Sequence, residues 1–219
     1  VTAKLCKQLH PDYLLVTNLY RDSISRNAHP DFVFEKLEKI PGEPTLILNA
    51  DDMLSCSLGR EGNRKIYYGA AKAPGATDQC SNIICDVKVC PQCMMPITYE
   101  YIQFHHIGRA HCEHCGYSMP QPQIYADEIN SETNTYRVND RIRSQTAMQT
   151  FPTGNLFEIY NNLAIVSLCL DLGYDLEFLT ESLQSLSKAG GRYEEVRKND
   201  TDIISMVGKS QNPISCSQS

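Results

Sequence analysis

The sequence predicts an α/β fold: an open sheet with flanking helices, interrupted by a small four-cysteine ribbon. Tyr13–Asn18 and Thr45–Leu48 are short apolar runs of the kind found in strands buried on both faces. Helical stretches alternate with them and with a third strand at Lys65–Tyr68, an order typical of α/β domains. Two Cys-x-x-Cys pairs, Cys90/Cys93 and Cys112/Cys115, then stand eighteen residues apart, a spacing that fits a four-thiolate zinc site.

Each element has a local reason. Thr2–Leu9 reads as the end of a helix broken by Pro11. The first strand runs into Asn18-Leu19-Tyr20-Arg21-Asp22, polar residues at the carboxyl edge where open α/β sheets bind ligands. Asp31–Ile40 carries a helical stripe of Phe32, Val33, Leu37 and Ile40, and Pro41-Gly42 stops it. The second strand also ends in polar residues, Asn49, Asp51 and Asp52, and a short helix follows to Leu58. Gly69 closes the third strand.

The ribbon occupies about Cys80 to Gln123, with Ile97–Ile102 as a hairpin strand. Ile124–Ile129, Thr135–Val138 and Ile142–Met148 are polar, alternating and β-leaning, as in antiparallel strands or a sheet edge. Gly154–Leu172 is the clearest helix, with an inward face of Leu156, Ile159, Tyr160, Leu163, Ala164, Val166, Ser167 and Leu170. Another helix runs over Leu176–Leu186 with Asp175 as N-cap. Arg192–Arg197 and Asp202–Val207 read as strands around a turn. The expected division is 1–80 and 124–208 for the main domain, 81–123 for the inserted ribbon, and 209–219 for a linker or the start of another domain.

Composition narrows the function classes. With 42% hydrophobic and 21% charged residues, the 219-residue chain is ordinary for a globular domain. A net charge of −6 argues against nonspecific nucleic-acid binding. No apolar run approaches the ~20 residues of a membrane span, and no signal-peptide pattern opens the chain. Ten cysteines could suggest secretion, but their clustering as a metal site favours a reducing, cytoplasmic compartment. The chain opens on Val1 without a methionine and reads as part of something longer.

By spacing alone the chemistry is thin. Cys90, Cys93, Cys112 and Cys115 are the metal candidates, in a closed structural site. Disulfides are the other reading, and any of His105, His106, His111 and His114 could replace a thiolate, His111 or His114 first, while Cys80 and Cys85 read as bystanders. Asp51-Asp52 could bind a metal ion, or serve as a helix cap with a solvated neighbour. Asn161-Asn162 could read a ligand or lie exposed. Tyr99, Tyr101 and Phe104 could stack on bases, but packing the ribbon's own core is the plainer role. There is no Walker-type phosphate loop, nucleophile elbow or zinc-protease helix.

Several weak features occur together in the order of one family. Asn18-Leu19-Tyr20-Arg21-Asp22 resembles Asn-Leu-Phe-Arg-Asp of the MurT family, the Mur-ligase-like subunits of lipid II isoglutaminyl synthase. Leu48-Asn49-Ala50-Asp51-Asp52 resembles its Leu-Asn-Ala-Asp-Asp, and Tyr67-Tyr68-Gly69 its Phe-Gly strand end. Leu156–Ala164 resembles Leu-Tyr-Asn-Val-Tyr-Asn-Ala-Leu-Ala, and Gly191-Arg192-Tyr193-Glu194 resembles Gly-Arg-Phe-Glu. Asn212-Pro213 is similar to the Asn-Pro that enters the family's carboxyl-terminal domain, and the ribbon is similar to its insertion.

The resemblance implies a Mur ligase central-domain-like sheet without its phosphate-loop part, which is expected before Val1. It implies an ATP- and Mg²⁺-dependent ligase that amidates the D-glutamate of lipid II, with ammonia from a GatD-like glutamine amidotransferase. Asn161 would then meet the adenine and Arg192 the phosphates, while Asn18, Asp22 and Asp51 line the strand-end crevice as ribose, metal or structural groups. Glu158 departs from the family's asparagine, and Ser25 from its aspartate. Catalytic groups beyond Ser219 are also expected, so the isolated fragment should be inactive. Another Mur-type amino-acid ligase and a noncatalytic zinc-ribbon module are the alternatives.

Overall fold

The structure is a computed structural model that describes residues 2–21, 29–80, 85–152, 154–185, 193–199 and 201–206. Helix α1 (Thr2–Leu9) precedes strand β1 (Tyr13–Val16). Helix α2 (Pro30–Glu38) starts with proline, whose missing N–H has no helical partner to lose. Strand β2 (Thr45–Asn49) leads into the short helix α3 (Met53–Cys56), and β3 (Lys65–Ala70) follows. The ribbon contributes the hairpin β4 (Thr98–Phe104) and β5 (Ile107–His111). Strands β6 (Ile124–Asn130), β7 (Thr135–Asp140) and β8 (Gln145–Thr150) come next, then helices α4 (Leu156–Asp171) and α5 (Leu176–Ser185). The antiparallel pair β9 (Tyr193–Lys198) and β10 (Thr201–Met206) ends the described chain.

The main sheet has six strands in the order β1-β2-β3-β6-β7-β8. The pairs from β1 through β6 are parallel, and β6-β7 and β7-β8 are antiparallel. Strand β6 therefore carries both kinds of pairing, where sequence alone suggested only antiparallel strands or an edge. Successive strand side chains point to opposite faces. Ile47 joins Ile66, Tyr68, Leu163 and Leu170 in the core beneath α4 and α5. Leu46 and Leu48 face the other way, into a core with Leu58, Val33 and Leu37 from the α2–α3 side. Helices thus cover both faces, which is why these strands read as unbroken apolar runs.

Helix α4 begins at Asn155, whose side chain accepts the Phe157 amide, and its expected inward face is buried except for half-buried Leu156. Asp175 accepts the amides of Glu177 and Phe178 and starts α5 as expected. Strand β8 starts three residues later than its β-leaning composition suggested, at Gln145 rather than Ile142. Asp140 accepts the amides of Ile142 and Arg143 and turns this segment over, so local turn chemistry wins.

The ribbon lies between β3 and β6 and packs onto the sheet. Tyr99 belongs to a shared core with Met53, Val87, Ala110 and Met119. Tyr101 and Phe104 correct the expectation that these aromatics pack the ribbon alone. Tyr101 donates its hydroxyl to the Ala70 carbonyl at 2.9 Å, and the Phe104 ring meets Phe157 and Tyr160 of α4 at 4.5 and 5.6 Å. So small an insertion has too little apolar area to close its own core, and it borrows the domain's.

Gly108 ties the hairpin to the domain and lies close against its own partner strand. Its amide donates to the Asp51 carbonyl at 2.7 Å, and a Cβ there would lie 2.1 Å from the Tyr101 carbonyl oxygen. Backbone cannot yield as a side chain would. Gly108→Ala is expected to lower stability by about 1–3 kcal/mol in urea unfolding. An unchanged midpoint would show that β4 and β5 tolerate separation at this pair.

Candidate functional site

The carboxyl end of β2 holds the most connected polar segment described. Asn49 donates its side-chain amide to the Thr17 carbonyl at 3.0 Å, tying the ends of β1 and β2, and its Oδ1 accepts the Asp51 amide at 2.9 Å. Asp51 Oδ2 accepts the Ala70 amide at 2.7 Å and the Tyr160 hydroxyl at 2.9 Å, reaching β3 and α4. Its Oδ1 lies 3.7 Å from the Arg109 guanidinium of β5. Asp52 Oδ2 accepts the Leu19 amide at 2.7 Å, while Oδ1 accepts Leu54 N–H at 3.0 Å and caps α3. Both acids are buried.

This burial has an electrostatic consequence. Desolvation pushes the Asp51 carboxyl up to about 6, against the Ala70 amide, the Arg109 charge and the Tyr160 hydroxyl, which all favour the ionised form. Gly69 is required beside it, because a Cβ there would come within 2.9 Å of Asp51 Oδ2. The sequence pairing of a cap with a neighbouring acid holds for Asp52. Asp51 is a buried cross-strut instead of a solvated neighbour.

The second candidate is the thiol cluster of the ribbon. Sγ of Cys90 is 3.6 Å from that of Cys115, and Sγ of Cys93 is 3.5 Å from that of Cys112. All four ligand atoms lie within 4.8 Å of one another. Tetrahedral thiolates at ~2.3 Å from an ion stand about 3.8 Å apart, so the set fits a metal and is too open for disulfides. The two pairs are built alike. Cys90 N–H donates to the Met95 carbonyl at 2.8 Å, and Met94 N–H donates to the Cys90 carbonyl at 3.0 Å. Cys112 N–H donates to the Tyr117 carbonyl at 2.8 Å, and Gly116 N–H to the Cys112 carbonyl at 2.9 Å. Met94 and Gly116 both adopt positive φ, 60° and 73°, to turn the chain. The Cys115 amide, with help from that of His114, draws the Cys112 thiol down to about 7. No histidine joins the cluster among the described residues.

Of the sequence-selected nucleotide residues, Asn18, Asp51 and Asn161 are described, and they fall around the sheet's carboxyl edge. Asn18 follows β1 and adjoins Thr17, to which Asn49 bonds. Asn161 is exposed on α4, next to the Tyr160 that holds Asp51. Asn162 donates to the Tyr136 hydroxyl at 3.2 Å and is a structural contact. Asp22, Ser25, Arg192 and the segment 207–219 with Asn212-Pro213 lie outside the described residues. Tyr160 and Arg109 were missed as polar anchors, since an aromatic on a core stripe and an arginine in a hairpin carry no spacing signal. His105 and His106 were noticed only as spare metal ligands. They lie buried against Asp52 and Asp86.

No protein-family model matches the chain. The fold is that of a Mur-type ligase domain. A pseudomurein peptide ligase type C from Methanothermus fervidus superposes with a TM-score of 0.79 at 24% identity, over 99% of this chain and 42% of its own. MurF from Acinetobacter baumannii does so with a TM-score of 0.62 at 15% identity, over 99% and 38%. In sequence, the chain is similar to the MurT subunit of lipid II isoglutaminyl synthase (glutamine-hydrolyzing). It is 24% identical to that of Staphylococcus aureus (strain COL) over 213 residues, 96% of this chain and 46% of the relative. The MurT of Streptococcus pneumoniae (strain ATCC BAA-255 / R6) is also 24% identical, over 220 residues, 99% and 47%. The chain thus spans a little under half the length of these relatives.

Two outcomes test the site. Asp51 titrates near 6 when folded and near 3.8 when unfolded, so its ionisation costs stability as pH rises from about 4 to 6. Relative to Asp51→Asn, the wild type should lose about 1–3 kcal/mol across that window, read by urea unfolding at each pH. A constant difference would mean the carboxyl is solvated. Chelation should release one equivalent of metal per chain and lower Tm by several degrees, an effect that Cys112→Ser should reproduce. A chain that purifies metal-free with an unchanged Tm would contradict the thiol assignment.

Proposed function

We propose that this chain is the central, nucleotide-binding part of an ATP-dependent ligase subunit of peptidoglycan synthesis. Its reaction would be amidation of the D-glutamate α-carboxylate of lipid II, presented at the membrane surface, to D-isoglutamine. The observation that carries the reading is the MurT similarity over 96–99% of the chain. The Mur-type fold and a metal-fitting thiol cluster in the insertion support it.

The chemistry balances with a GatD-like glutaminase as partner. The carboxylate oxygen attacks the γ-phosphorus of ATP and ADP departs. Ammonia, released from glutamine by the partner, attacks the acyl carbon, the new C–N bond forms, and phosphate leaves as the nitrogen sheds a proton. Mg²⁺, when bound, would neutralise charge on the phosphates. In this reading Asn161 contacts the adenine, Arg192 lies near the phosphates, and Asn18 and Asp22 line the crevice at the end of β1. Asp51 serves the same edge from inside, holding β2, β3 and α4 in register. Zn²⁺ suits a closed set of four thiolates and would act by folding the ribbon. The division at 81 and 123 then separates a metal-stapled insertion from the nucleotide-binding body. A reducing cytoplasm suits both thiolates and ATP. Among the described residues no helix is long and apolar enough to cross a membrane.

The structural likeness to a pseudomurein peptide ligase favours a second reading, ligation of an amino acid through the same activated carboxylate. The full-length protein decides between them when incubated with its glutaminase, glutamine, ATP, Mg²⁺ and lipid II. Mass spectrometry should show the stem glutamate converted to its amide, dependent on ATP and on glutamine. Attachment of an amino acid without glutamine dependence would establish the second reading, and neither product would overturn both. In the active protein, Asn161→Ala should raise the KM for ATP about tenfold and change kcat less, as expected for a lost hydrogen bond to a bound group. An unchanged KM would remove Asn161 from the adenine site.

A further inference from the structure

The tip of the β4–β5 hairpin buries two adjacent imidazoles against the ends of β1 and β2. Their Nδ1 atoms face each other at 2.6 Å. His106 Nε2 points to Asp52 Oδ1 at 3.3 Å, and His105 Nε2 points to Asp86 Oδ2 at 3.8 Å. Arg21 binds the other oxygen of Asp86 through Nη2 at 2.6 Å and Nε at 3.0 Å. The Tyr20 ring packs 5.1 Å from each imidazole. His105 pays for this placement with a left-handed backbone, φ 52°.

Both Nε2 atoms, Asp86 Oδ2 and the Tyr20 hydroxyl are buried without a hydrogen-bond partner. Four such atoms in one place call for an account, since buried polar groups are normally paired. Counting protons supplies it. A neutral imidazole has one N–H, so two neutral rings bring two protons to three contacts. One proton must lie between the Nδ1 atoms, or two lone pairs would face each other. One proton then remains for two Nε2 positions, and the other Nε2 presents a lone pair to a buried carboxylate. The charges point the same way: among the described residues, Asp52 and Asp86 carry two negative charges against the one positive charge of Arg21.

We propose that His105 and His106 together hold three ring protons, so that the hairpin tip is a cationic clip fastening the ribbon to the segment that follows β1. Burial and, after it, the charge of His106 push His105 down to about 4, so the two rings do not both carry a charge. The surplus proton makes one ring doubly protonated, and its Nδ1–H donates to the Nδ1 of the other. The other ring is the neutral tautomer with its proton on Nε2, so that each Nε2–H faces a carboxylate, Asp52 or Asp86. Among the described residues the charged and titratable groups facing the pair are Asp52, Asp86, Arg21 and Tyr20, and with the extra proton the formal charges of this set sum to zero. Asp52 also holds the Leu19 amide, so loss of that proton loosens the turn leading to Tyr20 and Arg21. The titration belongs to the pair, not to either ring alone. The clip does not depend on which ligase reaction the protein performs.

Ring-¹⁵N histidine spectra of the full-length protein test it, at a pH of about 8, well above the ordinary histidine value of about 6.5. The expected result is one doubly protonated ring joined, by coupling across an Nδ1···Nδ1 hydrogen bond, to a ring protonated only at Nε2. That coupling identifies the pair without any substitution. Two neutral rings, or no coupled pair, would overturn the proposal. Hydrogen exchange at the Leu19 amide gives a second reading. His106→Gln keeps a donor for Asp52 but no charge, and should speed exchange there about tenfold while distant strands stay protected. Unchanged exchange at Leu19 would also overturn it.

Discussion

Two carboxylates placed side by side at the end of β2, out of reach of water, set the terms for the rest of this structure. A buried carboxylate must find donors or lose its charge. Asp51 and Asp52 find theirs on the end of β1, on β3, on α3 and on α4. The hairpin of the ribbon adds Arg109 and His106 within ion-pair distance. Each partner comes from a different part of the chain, so satisfying two side chains assembles the whole carboxyl edge of the sheet. That edge is where an α/β sheet meets its ligand.

The ribbon is part of this arrangement. Its four thiols close one end of the insertion, while the other end is closed by the domain: Gly108 donates to the Asp51 backbone and Tyr101 to that of Ala70. Phe104 completes the contact against α4. A metal held by these thiols would therefore also bear on the strand ends, although the thiols themselves belong to a separate part of the insertion.

Much of the fold was legible in the residues. Apolar runs marked β1 and β2 because helices cover both faces of the sheet, and Asn155 and Asp175 begin α4 and α5 through cap chemistry that depends on a few neighbouring residues. The thiol site was legible for the same reason, since each Cys-x-x-Cys turn is local and only the meeting of two turns is not. What escaped was long-range. Asp51 is paired with Tyr160 across more than a hundred residues, and nothing in either neighbourhood signals the partner. His105 and His106 looked like spare metal ligands because sequence shows their nearness to cysteines and hides their nearness to Asp52 and Asp86. The start of β8 failed differently: Asp140 turns a segment whose composition leans toward strand.

The central claim is that ribbon and sheet edge form one cooperative unit. The most direct measurement is hydrogen exchange across the full-length protein before and after the metal is chelated. This account predicts faster exchange both in the ribbon and at the Asp51, Asp52 and Ala70 amides, with β7 and β8 unaffected. Faster exchange confined to the ribbon would contradict it, and would make the insertion an independent module resting on a sheet edge that holds itself.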